Sequence, residues 1–252
     1  MSCEFKVVIP ARYGSSRLPG KPLISIAGRA MVLHVCDRAK AAGAAEIVVA
    51  TDDARIQAVV EDYGFAAVMT SSAHESGTER LAEVAALYKW NKDDIIVNLQ
   101  GDEPLIHPET IGETIVHFHN QSVNVVNIMS RLNTKKAFED KNNVKVVVDK
   151  NNDALYYSRE PIPSSWNGWE NIPRYMQTGV IAFRRDTLIA FNAMPETCLE
   201  QIESVDMNRI LETGGKIRMV LTDAITIGVD VPEELKAAEV MLKDDELLGQ
   251  YL

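Results

Sequence analysis

The stretch Phe5-Lys6-Val7-Val8-Ile9-Pro10-Ala11-Arg12-Tyr13-Gly14-Ser15-Ser16-Arg17-Leu18-Pro19-Gly20-Lys21-Pro22-Leu23 decides the fold. Phe5–Ile9 is a short apolar, β-branched run and reads as a buried strand. Beyond the loop, from about Met31 to Ala42, Met31, Val35 and Ala39 recur at four-residue spacing, the period of a helix. Strand, glycine-containing basic loop, helix is the junction at which open α/β sheets bind nucleotides. The loop carries the cations Arg12, Arg17 and Lys21, the hydroxyls of Ser15 and Ser16, and two glycines that let backbone N–H groups approach a ligand. It predicts a site for a polyphosphate.

Two familiar phosphate loops do not fit. The P-loop has four residues between its glycines, then Lys and a hydroxyl residue. Here five residues separate Gly14 from Gly20, and Pro22 stands where the hydroxyl belongs. Proline offers neither that oxygen nor an N–H. A dinucleotide G-x-G-x-x-G run is also absent. The remaining alternative is a merely solvated basic connection, which the clustering of Arg, Lys, Ser and Gly directly after the first strand disfavours.

Outward from the loop the chain alternates. Strands are expected at Glu46–Ala50, Phe65–Met69 and Asp94–Gln100, and helices at Ala54–Tyr63, Thr78 to about Tyr88, and Pro108 to about Phe118. Such alternation predicts an α/β fold, a mostly parallel sheet covered by helices on both faces. The character then changes. Val123–Arg131, Val144–Asp149 and Ala154–Tyr157 are strand-like, whereas Glu160–Tyr175 is crowded with Pro, Trp, Ser, Asn and Gly and reads as an inserted lobe. A returning strand is expected at Gly179–Phe183, a helix at Glu203–Glu212, a last strand at Lys216–Leu221 and a terminal helix at Glu233–Leu242.

Composition narrows the function. A chain of 252 residues can bury one substantial core, and a single domain over 1–252 with an inserted lobe is expected. The formal net charge is −10, with no long Lys/Arg tract, which argues against a nucleic-acid surface and suits a small anionic substrate held at a local basic site. Cys3, Cys36 and Cys198 are odd in number, widely spaced and without a C-x-x-C pattern, fitting reduced thiols in a cytoplasmic protein. No stretch approaches 18 apolar residues, so no membrane partner is expected.

Two aspartates carry the expected chemistry. Gly101-Asp102-Glu103-Pro104 follows an apolar strand and puts a carboxylate at the sheet's carboxyl edge; far downstream, Gly228-Val229-Asp230 repeats the arrangement. Mg²⁺ prefers a few carboxylate oxygens together with substrate phosphates, so Asp102 and Asp230 are the candidate metal ligands. Each could instead cap a turn or helix, as Asp often does after a strand. Ser76-Gly77-Thr78-Glu79-Arg80 opens a capped helix that would lie beside a bound base. Glu203 and Asp206, three apart, would share a helical face, and a solvated polar face is the alternative. The five histidines lack zinc spacing, and no G-x-S-x-G occurs.

These runs together resemble the 3-deoxy-manno-octulosonate (Kdo) cytidylyltransferase family over nearly the whole chain. The matching residues are Ile9–Leu23, Ala50-Thr51-Asp52, Ser76–Val84, Asn98–Pro104, Ala154–Arg159 and Gly228–Leu235. The resemblance implies a Rossmann-like three-layer nucleotidyltransferase fold with a mixed sheet. It also implies Mg²⁺ dependence, a homodimer, and transfer of CMP from CTP to an acidic 3-deoxy-octulosonate sugar for lipopolysaccharide. Residues 1–120 become the CTP-binding half and 121–252 the sugar-binding and dimerisation half. Carried over, it assigns the nucleotide to Ala11, Arg12, Gly14, Ser15, Ser16, Lys21, Ser76, Gly77, Thr78 and Arg80. Arg12, Lys21, Gln100 and Asp102 become catalytic, Asp102 and Asp230 hold metal, and Gln100, Arg159, Gln177, Glu203 and Asp206 face the sugar.

The departures all fall in the sugar half. Gln177-Thr178-Gly179-Val180-Ile181-Ala182-Phe183-Arg184 replaces the usual His-x-Gly-x-Tyr-x-Tyr-Arg, Val205-Asp206-Met207-Asn208-Arg209 replaces Leu-Glu-Gln-Leu-Arg, and the Trp expected after Pro163 is delayed to Trp166. Such changes suggest an altered acceptor pocket, and 8-amino-Kdo, whose ammonium could meet Asp206, stands beside Kdo as acceptor. A nucleotide-sugar-dependent glycosyltransferase and a non-catalytic nucleotide-binding regulator are the rival functions.

Overall fold

The computed structural model describes residues 4–14, 18–74, 76–169, 172–224 and 228–250. Strand β1 (Phe5–Ala11) passes through a 3₁₀ turn (Lys21–Leu23) and a small ribbon, β2 (Ser25–Ile26) with β3 (Arg29–Ala30), into helix α1 (Met31–Ala41). There follow β4 (Glu46–Thr51), α2 (Ala54–Asp62), β5 (Ala66–Met69), α3 (Gly77–Leu87), β6 (Ile95–Asn98) and α4 (Pro108–Ile115). The second half has β7 (Val125–Arg131), α5 (Lys135–Glu139), β8 (Lys145–Val148), β9 (Ala154–Ser158) and β10 (Tyr175–Arg184). It ends with α6 (Arg185–Ala193), α7 (Cys198–Glu203), α8 (Asn208–Glu212), β11 (Arg218–Thr222) and α9 (Pro232–Lys243).

The main sheet runs β11-β7-β10-β6-β1-β4-β5, with β8 attached to β10 and β9 to β8. Strands β6, β1, β4 and β5 are parallel to one another, as are β7 and β11, whereas β10 is antiparallel to both of its neighbours β6 and β7. The apolar run of β1 is explained by its central place. Val7 and Ile9 pack on one face with Val32 and Val35 of α1 and Ile111 and Ile115 of α4. Val8, pointing the other way, packs with Leu81 and Val84 of α3 and Leu188 and Phe191 of α6. Successive side chains of a strand face opposite sides, so an uninterrupted apolar run needs cover on both. The result is a three-layer α/β fold with a mixed, mostly parallel sheet.

Two features differ from the sequence reading. The returning strand begins at Tyr175 rather than Gly179 and enters the middle of the sheet, because the chain comes back from the lobe without a crossover helix. The helix expected over Glu203–Glu212 is broken: α7 stops at Glu203, Ser204 takes a left-handed conformation (φ 51°), and α8 starts only at Asn208. The turn lets Val205 and Met207 enter the core. Glu203 and Asp206 therefore do not share a helical face. The sequence reading expects none of α5, α6 and α7, the last of which shares only Glu203 with the expected helix. Among the described residues no helix is long and apolar enough to cross a membrane.

Candidate active site

The parallel order β6-β1-β4 makes the gap between β1 and β6 a topological switch point, where a crevice opens beyond the carboxyl ends of the strands. The two strand ends approach closely because Gly101 has no side chain: a Cβ there would stand 3.0 Å from the Pro10 carbonyl oxygen. A cleft of about 370 Å³ occupies this place; Ala11, Arg12, Lys21, Gln100, Asp102 and Asp230 are among its lining residues. Arg12 is exposed and makes no ion pair among the described residues.

Lys21, Asp102 and Asp230 meet in this cleft although they are far apart in the chain. Lys21 Nζ donates to Asp102 Oδ2 at 2.5 Å and to Asp230 Oδ1 at 2.9 Å. Burial alone would lower the Lys21 pKa, but the two carboxylates outweigh it and hold the ammonium above its ordinary value. Backbone contacts bring Asp230 here: the Val229 N–H donates to the Asp102 carbonyl at 2.9 Å. The N–H groups of Asp230 and Val231 in turn donate to Glu234 at the start of α9 (2.7 and 3.1 Å). Helix α9 is anchored by a third apolar cluster in which Val229, Ala238 and Leu242 pack with Leu18, Ile26, Met31 and Leu105. The C-terminal helix thus packs onto the N-terminal loop. Two hard carboxylate donors with an ammonium between them are a cation position, and among the described residues no third His, Cys, Asp or Glu completes an all-protein cage. This donor set fits a hard cation that takes its remaining oxygens from a phosphate substrate.

The start of α3 forms another part of the wall. Ser76 caps the helix, its hydroxyl accepting from the Glu79 N–H at 3.2 Å while Glu79 accepts from the Ser76 N–H at 3.3 Å. Ser76, Gly77, Arg80 and His74 line the cleft. His74 Nε2 lies 2.6 Å from Glu83, which ties the preceding segment to α3. The Arg80 guanidinium is buried and donates to Thr70 Oγ1 and Asp52 Oδ2, both at 2.7 Å. It braces the ends of β4 and β5. Thr78 faces away from the cleft, its hydroxyl donating to Asp206 at 3.0 Å. Gly14 is exposed and not part of the cleft wall, while Ser15 and Ser16 lie outside the described residues.

A second cleft of about 570 Å³ adjoins the first and shares Asp230 with it; Glu103, Arg131, Asn143, Gln177 and Thr178 are among its walls. Of the residues expected at the sugar, Gln100 lines the first cleft and Gln177 the second, but Arg159, Glu203 and Asp206 line neither. Glu203 accepts from Tyr156 Oη (2.7 Å), Ser158 Oγ (2.9 Å) and the Arg159 N–H (2.8 Å). Burial opposes ionisation of this carboxyl, yet the three donors prevail and keep its pKa below the ordinary value. Arg159 donates to the backbone carbonyls of Glu203, Ser204 and Lys141. Asp206 keeps some residue surface, but its carboxylate is turned inward onto Thr78, and burial raises its pKa. Arg159 and Glu203 thus organise the junction of β9 with α7, while Asp206 ties the turn after α7 to α3.

Sequence reading had given no role to Glu103, His74, Arg131, Asn142, Asn143, Thr222 or Glu234, all of which line the clefts. Only Glu103 carried a signal, its place beside Asp102 after the β6 strand. The others come from segments whose convergence no local pattern announces.

Known proteins resemble the chain over most of its length. A family model described as cytidylyltransferase matches residues 6–217. The 3-deoxy-manno-octulosonate cytidylyltransferase of Geobacter metallireducens is 44% identical over 244 residues, covering 92% of this chain and 95% of that protein. That of Geobacter sulfurreducens is 44% identical over 248 residues, with coverage of 94% and 98%. A solved structure of CMP:2-keto-3-deoxy-manno-octonic acid synthetase complexed with CTP superposes with a TM-score of 0.89 at 41% identity, covering 96% of this chain and 99% of that one.

Proposed function

The chain belongs to the cytidylyltransferase family, and from that premise we propose that it transfers CMP from CTP to the anomeric hydroxyl of Kdo, releasing pyrophosphate, for lipopolysaccharide biosynthesis. The observation that carries the reading is the convergence of Lys21, Asp102 and Asp230 in a cleft beyond β1 and β6.

In the reaction the acceptor oxygen forms a bond to the α-phosphorus while the bond from that phosphorus to the bridging oxygen breaks, the electron pair leaving with pyrophosphate and the hydroxyl proton passing to solvent. Such transfer needs positioning and charge neutralisation more than covalent participation by the protein. Arg12 and Lys21 offset the charge that grows on the departing pyrophosphate. Ser76 and Gly77 face the nucleoside, and Arg80 supports that wall from behind. Gln100, between the two clefts, orients the α-phosphate against the acceptor. Asp102 and Asp230 would hold Mg²⁺, which when bound neutralises phosphate charge and polarises the attacking hydroxyl.

The second cleft is the acceptor site in this reading. Its carboxylates Glu103, Asp223, Asp230 and Glu234 outnumber its single Arg131. That excess supports 8-amino-Kdo, with its ammonium, as a second reading; Asp206 does not, since it faces Thr78. The enzyme works in the cytoplasm as a homodimer. A dimer is supported by exposed Leu155 on β9 and Ile202 on α7, beside a strand that pairs, among the described residues, only with β8. Pyrophosphate release from CTP and Mg²⁺, measured with Kdo, 8-amino-Kdo and a sialic acid, tests the reading. Turnover with either octulosonate is expected, and no release with both would overturn it.

A further inference from the structure

Strand β10 does not run evenly along β7. Gln177 pairs with Met129 and Ile181 with Asn127, so Thr178, Gly179 and Val180 stand opposite Ile128 alone. The extra residues form a bulge, a device that re-aims backbone next to functional sites. On its core side the bulge is held by Asn127, fully buried, whose Nδ2 donates to the carbonyls of Thr178 (3.2 Å) and Val180 (2.9 Å). Asn127 is itself fixed by the buried Tyr157, whose hydroxyl donates to Asn127 Oδ1 at 3.3 Å. On its cleft side the Gly179 N–H donates to Glu103 Oε1 at 3.2 Å, and Glu103 is only 8% exposed.

Gly179 is the contact point. A Cβ there would stand 2.5 Å from Glu103 Oε1 and 2.7 Å from Gln100 Cγ, closer than real Cβ contacts come. At its other end the Gln100 amide nitrogen approaches Gly77, 3.6 Å from where a Cβ would be. Gln100 is therefore clasped between the start of α3 and the bulge. Thr178 and Gly179 of the bulge line the second cleft and Gln100 the first, so this contact is the wall between them.

We propose that Glu103 is a positioning residue for the transfer: through the Gly179 amide it pins the β10 bulge against Gln100, and so sets where acceptor and nucleotide meet. The inference rests on the reaction assigned above. Displacing a reacting partner by about 1 Å can cost on the order of a hundredfold in rate, so a pinned wall matters to chemistry more than to nucleotide affinity.

Kinetics, CTP binding by calorimetry and amide exchange of segment 176–181 in Gly179→Ala, Glu103→Ala and Glu103→Gln test it. Gly179→Ala and Glu103→Ala are expected to keep the CTP Kd, raise the acceptor KM and lower kcat by about thirtyfold or more. Glu103→Gln retains an oxygen for the Gly179 N–H and is expected to restore the kcat lost in Glu103→Ala. Exchange at Gly179 should rise in Glu103→Ala but not in Glu103→Gln. Equal behaviour of the Ala and Gln variants, or a fall in Tm with kcat and KM unchanged, would overturn the proposal. The exchange readout needs no turnover, so it still judges the pin if the assigned reaction itself fails.

Discussion

Lys21 Nζ sits 2.5 Å from Asp102 Oδ2, with Asp230 on its other side, so the protein's own ammonium holds the position that suits a divalent cation. Both charges cannot occupy it together. Phosphates entering the cleft would draw Lys21 away and release the carboxylates. Metal and nucleotide should then bind cooperatively, and by linkage the effect is reciprocal. Wild-type protein is expected to bind Mn²⁺, followed by electron paramagnetic resonance, about tenfold more tightly with CTP than without. Lys21→Met should bind Mn²⁺ more tightly than wild type when no nucleotide is present. If it binds no better, Lys21 is not a competitor for that position.

Arg12 and Asp102 test the cleft by activity. Removing one preorganised charge donor costs roughly 3 kcal/mol of barrier, about a hundredfold, so Arg12→Ala is expected to lose that much in kcat/KM for CTP. Asp102→Ala should lose more, because a carboxylate of the cation position goes with it. Near-normal Mg²⁺-dependent turnover in Asp102→Ala would remove the metal assignment.

Asp206 should reveal itself as a pH-dependent cost. Burial raises its pKa, against the opposing pull of the Thr78 hydroxyl. A carboxyl with a folded pKa above its unfolded value, about 3.9, binds its proton more tightly in the native state, so stability declines as pH rises through the folded pKa. Asp206→Asn keeps an acceptor for Thr78 without the charge. Calorimetry should find the variant's Tm above wild type at pH 7.5, with the gain shrinking toward pH 4. A gain independent of pH would contradict this, and a raised acceptor KM would return Asp206 to the sugar site.

His34 runs the other way. It is fully buried, its Nε2 donating to the Ile26 carbonyl at 2.8 Å, and burial lowers its pKa, with Arg29 and Arg38 adding to the effect against Asp245. A depressed folded pKa confers stability that is present above the unfolded value of about 6.5 and is lost as pH falls through it. Thermal melts between pH 7.5 and 5.5 should show wild-type Tm declining, and His34→Gln should flatten the decline. An unchanged slope in the variant would exclude His34 as its source.

Local pattern carried a large part of this protein. The apolar run of Phe5–Ile9 and the capped helix start at Ser76 are set by residues close in sequence, and both are legible in order along the chain. The segment Glu203–Glu212 shows the limit. Its residues favour one helix, but burying Val205 and Met207 outweighs that preference and breaks it at Ser204. That break separates Glu203, which accepts from Tyr156 and Ser158 of β9, from Asp206, which accepts from Thr78 of α3.

By itself the sequence determined an α/β sheet with a basic loop after its first strand and an acidic residue after β6, because strand and helix periods and loop chemistry are written locally. Tertiary structure alone decided that Asp230 comes to Asp102, through one backbone bond and the packing of α9. It alone turned β10 against its neighbours and bulged it at Gly179 to form the wall between two clefts. Those outcomes depend on which distant surfaces bury one another, and the energy of that burial belongs to the assembled chain rather than to any stretch of it.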